Sequence, residues 1–110
     1  MSIIDMNTFN ALKESTGADF ISELIDAFLD DAPGLIAQMK SALPAGDAEM
    51  FRRATHSMKS NAATFGAMEL ADLARELEGM GRDHNLEIGD KLEIMETALQ
   101  HVESQLRALK

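Results

Sequence analysis

The chain has 110 residues, 45% of them apolar, which is the size of one ordinary domain with one hydrophobic core. We therefore expect residues 1–110 to form a single domain. Its 19 acidic and 10 basic residues give a formal net charge of -9, which opposes binding to nucleic-acid phosphates or to an anionic membrane surface. The sequence lacks cysteine and has no stretch that resembles a signal peptide or a bilayer-spanning segment, so it predicts a cytoplasmic protein without disulfides or thiolate metal sites.

The N-terminal segment predicts a short helix. Its apolar residues are Ile3, Ile4, Met6, Phe9 and Leu12. Asp5 or Asn7 is a possible N-terminal cap, and Gly17 is expected to end the helix. A helix this short is marginal alone and should pack against the longer helices.

A second apolar series keeps helical spacing from residue 20 to residue 43, across Pro33. The continuous phase favours one long helix with a bend. This helix is expected to end in the segment from Leu43 to Gly46. Proline removes one helical hydrogen bond, so two helices remain an alternative, with Asp30 or Asp31 capping the second.

The third predicted helix begins after Asp47, a plausible N-cap, and ends at Gly66. Its apolar stripe consists of Phe51, Ala54, Met58, Ala62 and Phe65. The fourth helix follows, with an apolar stripe from Ala67 to Met80 and with Gly79 or Gly81 as a left-handed stop. Its polar face is predicted to carry Glu69, Asp72, Arg75, Glu76 and Glu78, and the segment from Arg82 to Asn85 is predicted to be a loop.

The last helix has the clearest periodicity, a heptad seam formed by Ile88, Leu92, Met95, Leu99, Val102, Leu106 and Leu109. Gly89 weakens its first turn, and Asp90 with Glu93 offers a capping box if the helix begins there. Strand signals are poor, and the connections are short. The sequence therefore predicts an all-α fold, an antiparallel four-helix bundle with a short additional N-terminal helix. A homodimeric coiled coil is the alternative use of the seam, but the chain's own helices can cover it, so we expect a monomer.

His56 lies opposite the apolar stripe of the third helix and is predicted to face solvent. At about 100° per residue, the side chains on its face are those of Arg52, Arg53, Lys59, Ser60 and Ala63. An imidazole that accepts a phosphoryl group gains about two negative charges, and a lysine one turn away can compensate them. A solvated helix face explains the same residues, so the pattern alone does not establish a site.

The sequence gives little support for metal binding, nucleotide binding or hydrolysis. His84 is predicted to lie in a loop and His101 on the surface of the last helix, and neither lies near His56 with metal-ligand spacing. No carboxylate-bridged metal motif, phosphate-binding glycine loop or hydrolytic triad is present. We therefore expect no metal site and no bound cofactor.

The order of residues from His56 onward resembles that of histidine-containing phosphotransfer (HPt) domains of bacterial two-component relays. The matching features are His56-x-x-Lys59, Phe65-Gly66-Ala67 and a following helix with Leu77-Glu78. Two positions depart from the family pattern: Met58 replaces the common leucine, and Ser60 stands where glycine is usual. Serine narrows the approach to His56 and adds a possible hydrogen bond to phosphate.

The resemblance implies a phosphorelay intermediate rather than an enzyme. His56 would accept a phosphoryl group from a receiver-domain aspartate and pass it to another receiver, and Lys59 would contact the phosphoryl oxygens. Arg52, Arg53, Ser57, Ser60 and Ala63 would form the docking surface around it. The expected partners are response-regulator receiver domains, which supply Mg²⁺, and a hybrid sensor kinase. The alternative is an HPt-like adaptor that binds receivers without carrying phosphate.

Overall fold

A computed structural model describes residues 3–110 of the chain. Within this range the chain forms five α-helices and no strand. They are α1 (Met6–Thr16), α2 (Ala18–Ala45), α3 (Ala48–Thr64), α4 (Met68–Arg82) and α5 (Lys91–Leu109). The all-α bundle with a short N-terminal helix is thus confirmed. The predicted domain of residues 1–110 includes residues 1 and 2, which lie outside the described range.

The short helix α1 is fixed against the turn between α3 and α4. Asp5 caps α1 by accepting a hydrogen bond from the Asn7 backbone N–H, which resolves the choice between the two predicted caps. The Asp5 backbone N–H donates to the Gly66 carbonyl at 2.8 Å. Gly66 has φ +82°, and a Cβ on it would lie 2.8 Å from the Asp5 carbonyl oxygen. Glycine at this position therefore permits both the turn after α3 and the close approach of the N-terminal segment.

Helix α2 is continuous through Pro33, so the alternative of two helices is wrong. It ends at Ala45, as predicted, with Gly46 in the left-handed conformation at φ +65°. Asp47 then caps α3 by accepting a hydrogen bond from the Met50 backbone N–H.

Helices α3 and α4 pack closely because Gly81 has no side chain. A Cβ on Gly81 would lie 3.2 Å from the backbone N and Cα atoms of Arg52 and 3.2 Å from the Phe51 ring. The predicted role of Gly79 or Gly81 as a left-handed stop is wrong, because neither has a positive φ. Helix α4 continues to Arg82, and His84 takes the left-handed conformation at φ 58° instead.

The heptad seam of α5 is covered by the same chain. Ile88 and the seam residues from Leu92 to Leu106 are buried, and Leu109 is partly buried against the core. Helix α5 packs on α4 and α2, so the seam needs no second copy of the chain. The helix begins at Lys91 with Asp90 at the cap position, but the Asp90 side chain forms no capping hydrogen bond. None of the helices in the described range is long and apolar enough to cross a membrane.

Candidate functional site

His56 projects from the middle of α3 into solvent, as predicted. Its side chain is 53% exposed, whereas Thr55 before it and Met58 after it are buried. The α3 backbone beneath His56 is packed against α2 on one side and α4 on the other. The imidazole therefore stands on a rigid base and is open to a partner.

Glu78 joins His56 to Lys59. One of its carboxylate oxygens, Oε2, lies 2.6 Å from His56 Nδ1, and the other, Oε1, accepts a hydrogen bond from Lys59 Nζ at 2.6 Å. Only 4% of the Glu78 side chain is exposed, against 25% of the Lys59 side chain. Arg82, one turn further along α4, has its guanidinium 3.9 Å from Oε2. The prediction that Glu78 lies on the polar face of α4 is wrong: it is buried between α4 and α3 and holds both predicted site residues.

The charge of Glu78 determines which tautomer His56 adopts. Burial alone would raise the pKa of Glu78, but the hydrogen bonds from Lys59 and His56 outweigh it and hold that pKa below its usual range. Glu78 is therefore an ionised carboxylate at neutral pH and can only accept hydrogen bonds. The proton of neutral His56 consequently resides on Nδ1, and Nε2 retains its lone pair. No group within residues 3–110 forms a hydrogen bond to Nε2.

The predicted basic neighbours of His56 differ in their partners. Arg52 forms hydrogen bonds with Glu49 at 2.6 and 3.1 Å, so its charge is largely matched within α3. Arg53 is exposed, and its Nε lies 3.9 Å from the same Glu49 carboxylate. Of these three basic residues, Lys59 is the one that is linked to His56, because both side chains bind the Glu78 carboxylate.

Two of the three small residues predicted to surround His56 line a groove beside it. Ser57 and Ser60 line an open groove between α2 and α3, and His56 lies at the same groove. Ala63 is exposed on α3, two turns beyond His56, and does not line the groove. The groove is thus open on its α3 side, because the side chains of Ser57 and Ser60 are small.

This α2–α3 groove has a volume of about 480 Å³. Its lining residues are Asp30, Asp31, Gly34, Leu35 and Gln38 from α2 and His56, Ser57, Ser60 and Asn61 from α3. An apolar extension of about 140 Å³ shares Asp31 and Asn61 with it and is lined by Leu24, Ala27, Phe28, Thr64 and Phe65. His56 therefore lines the first of two neighbouring concavities that lie between the same two helices.

The other two histidines lie elsewhere. His84 follows the end of α4 and His101 lies on α5, and both are exposed. In the part of the chain that the structure describes, no group of three or more His, Asp or Glu side chains is arranged to hold a metal ion.

The site thus consists of an exposed imidazole that is held at Nδ1 by a buried carboxylate, on a helix of an all-α bundle. The family model described as "Hpt domain" matches residues 23–109, and the chain belongs to this family. Its fold is similar to the crystal structure of histidine-containing phosphotransfer protein B (HptB) from Pseudomonas aeruginosa PAO1. That comparison has a TM-score of 0.87 and 28% sequence identity, and it covers 96% of this chain and 92% of the other. No curated protein gives a significant match.

Membership in this family supports a histidine phosphotransfer role in phosphorelays. Hpt domains are phosphocarriers rather than true enzymes, and they interact with receiver domains of response regulators. The resemblance inferred from the sequence is confirmed at this level.

Glu78 is the site residue that the sequence reasoning missed. A signal for it was present, because positions 70, 71, 74, 77, 78 and 81 together form the buried face of α4. Glu78 lies four residues after Ala74 and seven after Ala71, in phase with that face. A carboxylate at a buried position of a helix needs a cationic partner, and Lys59 on the neighbouring helix is a candidate for that partner.

Proposed function

We propose that the chain is a phosphorelay intermediate that accepts a phosphoryl group on His56 from a receiver-domain aspartate and transfers it to another receiver. The observation that carries the proposal is the free Nε2 of an exposed His56 whose Nδ1 is bonded to the buried Glu78 carboxylate. A nucleophile that is fixed in one tautomer and accessible from solvent meets the geometric needs of in-line phosphoryl transfer.

In the transfer step, the Nε2 lone pair forms a bond to phosphorus while the bond between phosphorus and the aspartate oxygen breaks. The receiver recovers its carboxylate, and His56 becomes a phosphohistidine. With Nδ1 still protonated, the ring carries a positive charge, which the Glu78 carboxylate at 2.6 Å stabilises. The reverse sequence on a second receiver returns neutral His56.

Lys59 is the proposed contact to the phosphoryl oxygens. Its ammonium group has three N–H donors, and one of them is used by Glu78. The remaining donors can reach an anionic group on His56, one turn away on α3. Arg52 and Arg53 add positive potential, and Ser57, Ser60 and Ala63 leave room for the rim of the receiver.

The remaining parts of the proposal concern the partners. We propose that the chain has no cofactor of its own, and that Mg²⁺ and the acidic residues around it belong to the receiver. A hybrid sensor kinase is the proposed upstream source of the phosphoryl group. We further propose that the protein acts as a cytoplasmic monomer.

The test is incubation with a phosphorylated receiver domain. The proposal predicts label on the protein that is acid-labile and absent in His56→Gln. His101→Gln is the matched control, since it removes an exposed imidazole from α5, and it should accept label at the wild-type rate. Binding of the receiver without any transfer of label would instead support the alternative, an adaptor that docks receivers without carrying phosphate.

A further inference from the structure

The surface around His56 has two flanks of different charge. On the α4 side lie Lys59 and Arg82, both within 4 Å of the Glu78 carboxylate. On the α2 side, the α2–α3 groove presents the carboxylates of Asp30 and Asp31 and has no lysine or arginine in its lining.

Asp30 and Asp31 differ from most carboxylates near the site because no group in the described part of the chain neutralises them. Both are exposed in the middle of α2, and neither forms an ion pair or a side-chain hydrogen bond within residues 3–110. Glu49 and Glu78, by contrast, are each bonded to basic side chains. Two uncompensated negative charges therefore border the groove where His56 lies.

These charges conflict with the proposed reaction unless the partner compensates them. A phosphorylated receiver brings an anionic group to His56, and like charges brought together at an interface oppose docking. The chain's net charge of -9 adds to this repulsion. A partner that places cationic side chains over Asp30 and Asp31 converts the repulsion into attraction and docks in one orientation.

The groove also indicates the shape of the partner segment. Together with its apolar extension it follows α2 from Leu24 to Gln38, for about 21 Å at 1.5 Å per residue. Its far end is apolar, with Phe28 and Phe65 in edge-to-face contact at 5.6 Å between ring centroids. Its middle is acidic, and His56 lies at the other end.

Building on the proposed function, we propose that Asp30 and Asp31 determine which receivers the chain accepts. The preferred receiver carries lysine or arginine side chains beside its phosphorylation site, next to an apolar residue that enters the end of the groove at Phe28. Receivers with acidic side chains at that place are rejected. The occupant is thus a receiver surface of mixed basic and apolar character.

The test compares the wild type with the double variant Asp30→Lys, Asp31→Lys. Receiver domains from the organism that encodes the chain are phosphorylated with a small-molecule phosphodonor, and the initial transfer rate is measured for each. Receivers with basic side chains beside the phosphorylation site should lose about tenfold in rate, and those with acidic side chains should gain. The effect should shrink near 1 M salt, where the Debye length is only about 3 Å.

The matched control is Glu14→Lys with Glu87→Lys, which makes the same change of charge at exposed positions outside the groove. It should leave the order of preferred receivers unchanged. The single variant Asp31→Asn should give a smaller shift in the same direction, of about threefold. Circular dichroism checks that each variant keeps its helical content.

Equilibrium binding of the unphosphorylated receivers is measured in parallel, so that docking and transfer are separated. Rates and affinities in the double variant that equal those of the control variant would overturn the role of Asp30 and Asp31 while leaving phosphotransfer intact. A wild type that binds receivers without transfer would refute the proposed function, and a changed affinity in the double variant would still support the groove. A wild type that binds no receiver would refute both.

Discussion

Removal of the Lys59 ammonium should cost far more stability than removal of an ordinary surface lysine. In Lys59→Met the aliphatic stem remains, but the Glu78 carboxylate, with 4% of its side chain exposed, loses a hydrogen bond at 2.6 Å. Breaking a buried ion pair typically costs about 3–5 kcal/mol. His56 and Arg82 retain part of the compensation, so we expect a loss of about 2–3 kcal/mol in the free energy of unfolding at pH 7.

This loss corresponds to a fall in Tm of about 10 °C, given about 4 °C or more per kcal/mol for a domain of this size. The assay is thermal and urea unfolding of the wild type, Lys59→Met, Glu78→Gln and the double variant. Glu78→Gln should cost about 1 kcal/mol, because the side chains that lose the carboxylate, Lys59, His56 and Arg82, are all partly exposed to water. The double variant should be more stable than the sum of the two losses indicates, by about 1–2 kcal/mol.

The pH dependence of this loss has a definite sign. Lys59 and His56 hold the pKa of Glu78 below 4.5, so its ionisation stabilises the fold above about pH 4.5, and this contribution is lost as pH falls through the lower folded-state pKa. In Lys59→Met that pKa rises, and protonation at acidic pH relieves the unpaired charge. The difference in stability between wild type and variant should therefore be smaller at pH 4 than at pH 7.

The control is Lys40→Met, because Lys40 forms an exposed ion pair with Glu96 at 2.9 Å. Such a pair contributes at most about 1 kcal/mol. A Lys59→Met loss no larger than that of Lys40→Met, or a loss that is the same at pH 7 and pH 4, would refute the assignment of Lys59 as the partner of a buried charge.

Three further predictions concern helix packing and the His56 tautomer. Gly81→Ala should destabilise the fold by about 1–3 kcal/mol in urea unfolding, because its Cβ would lie 3.2 Å from the α3 backbone, whereas Gly79→Ala, with no neighbour within 4 Å, should be neutral or stabilising. Gly66→Ala should also lower Tm, since φ is +82° and its Cβ would lie 2.8 Å from a backbone oxygen; an unchanged Tm would contradict the tight turn. Glu78→Gln should lower the fraction of neutral His56 protonated on Nδ1, measured by ¹⁵N NMR, and an unchanged tautomer ratio would remove Glu78 from that role.

The helices could be predicted from the sequence because each has a sustained apolar period and a local boundary signal. Asp47 and Gly46 are examples: the cap and the left-handed residue are consequences of residue type, and both lie where the pattern places them. The end of α4 was mispredicted because two glycines offered a stop. Gly81 is instead required by the close approach of α3, a tertiary cause that local propensity does not contain.

The site was predicted in part. His56 could be placed on the exposed face of α3 from periodicity alone, and the family resemblance rested on His56-x-x-Lys59 together with Phe65-Gly66-Ala67 and Leu77-Glu78. Glu78 was missed because a charged residue was assigned to the polar face by type rather than by phase. Its burial depends on hydrogen bonds from two side chains of α3, the Lys59 ammonium and the His56 imidazole, and α3 is distant from Glu78 in sequence. The pattern of α4 alone does not contain these partners.

The central claim is that Glu78 occupies Nδ1 of His56 and leaves Nε2 as the phosphoryl acceptor. The most direct measurement is the position of the N–P bond in the phosphorylated protein, read from ¹⁵N and ³¹P couplings after labelling of histidine. The geometry predicts a phosphoryl group on Nε2 of His56, with the proton of Nδ1 still bonded to Glu78. Phosphorylation at Nδ1, or at His84 or His101, would contradict the account.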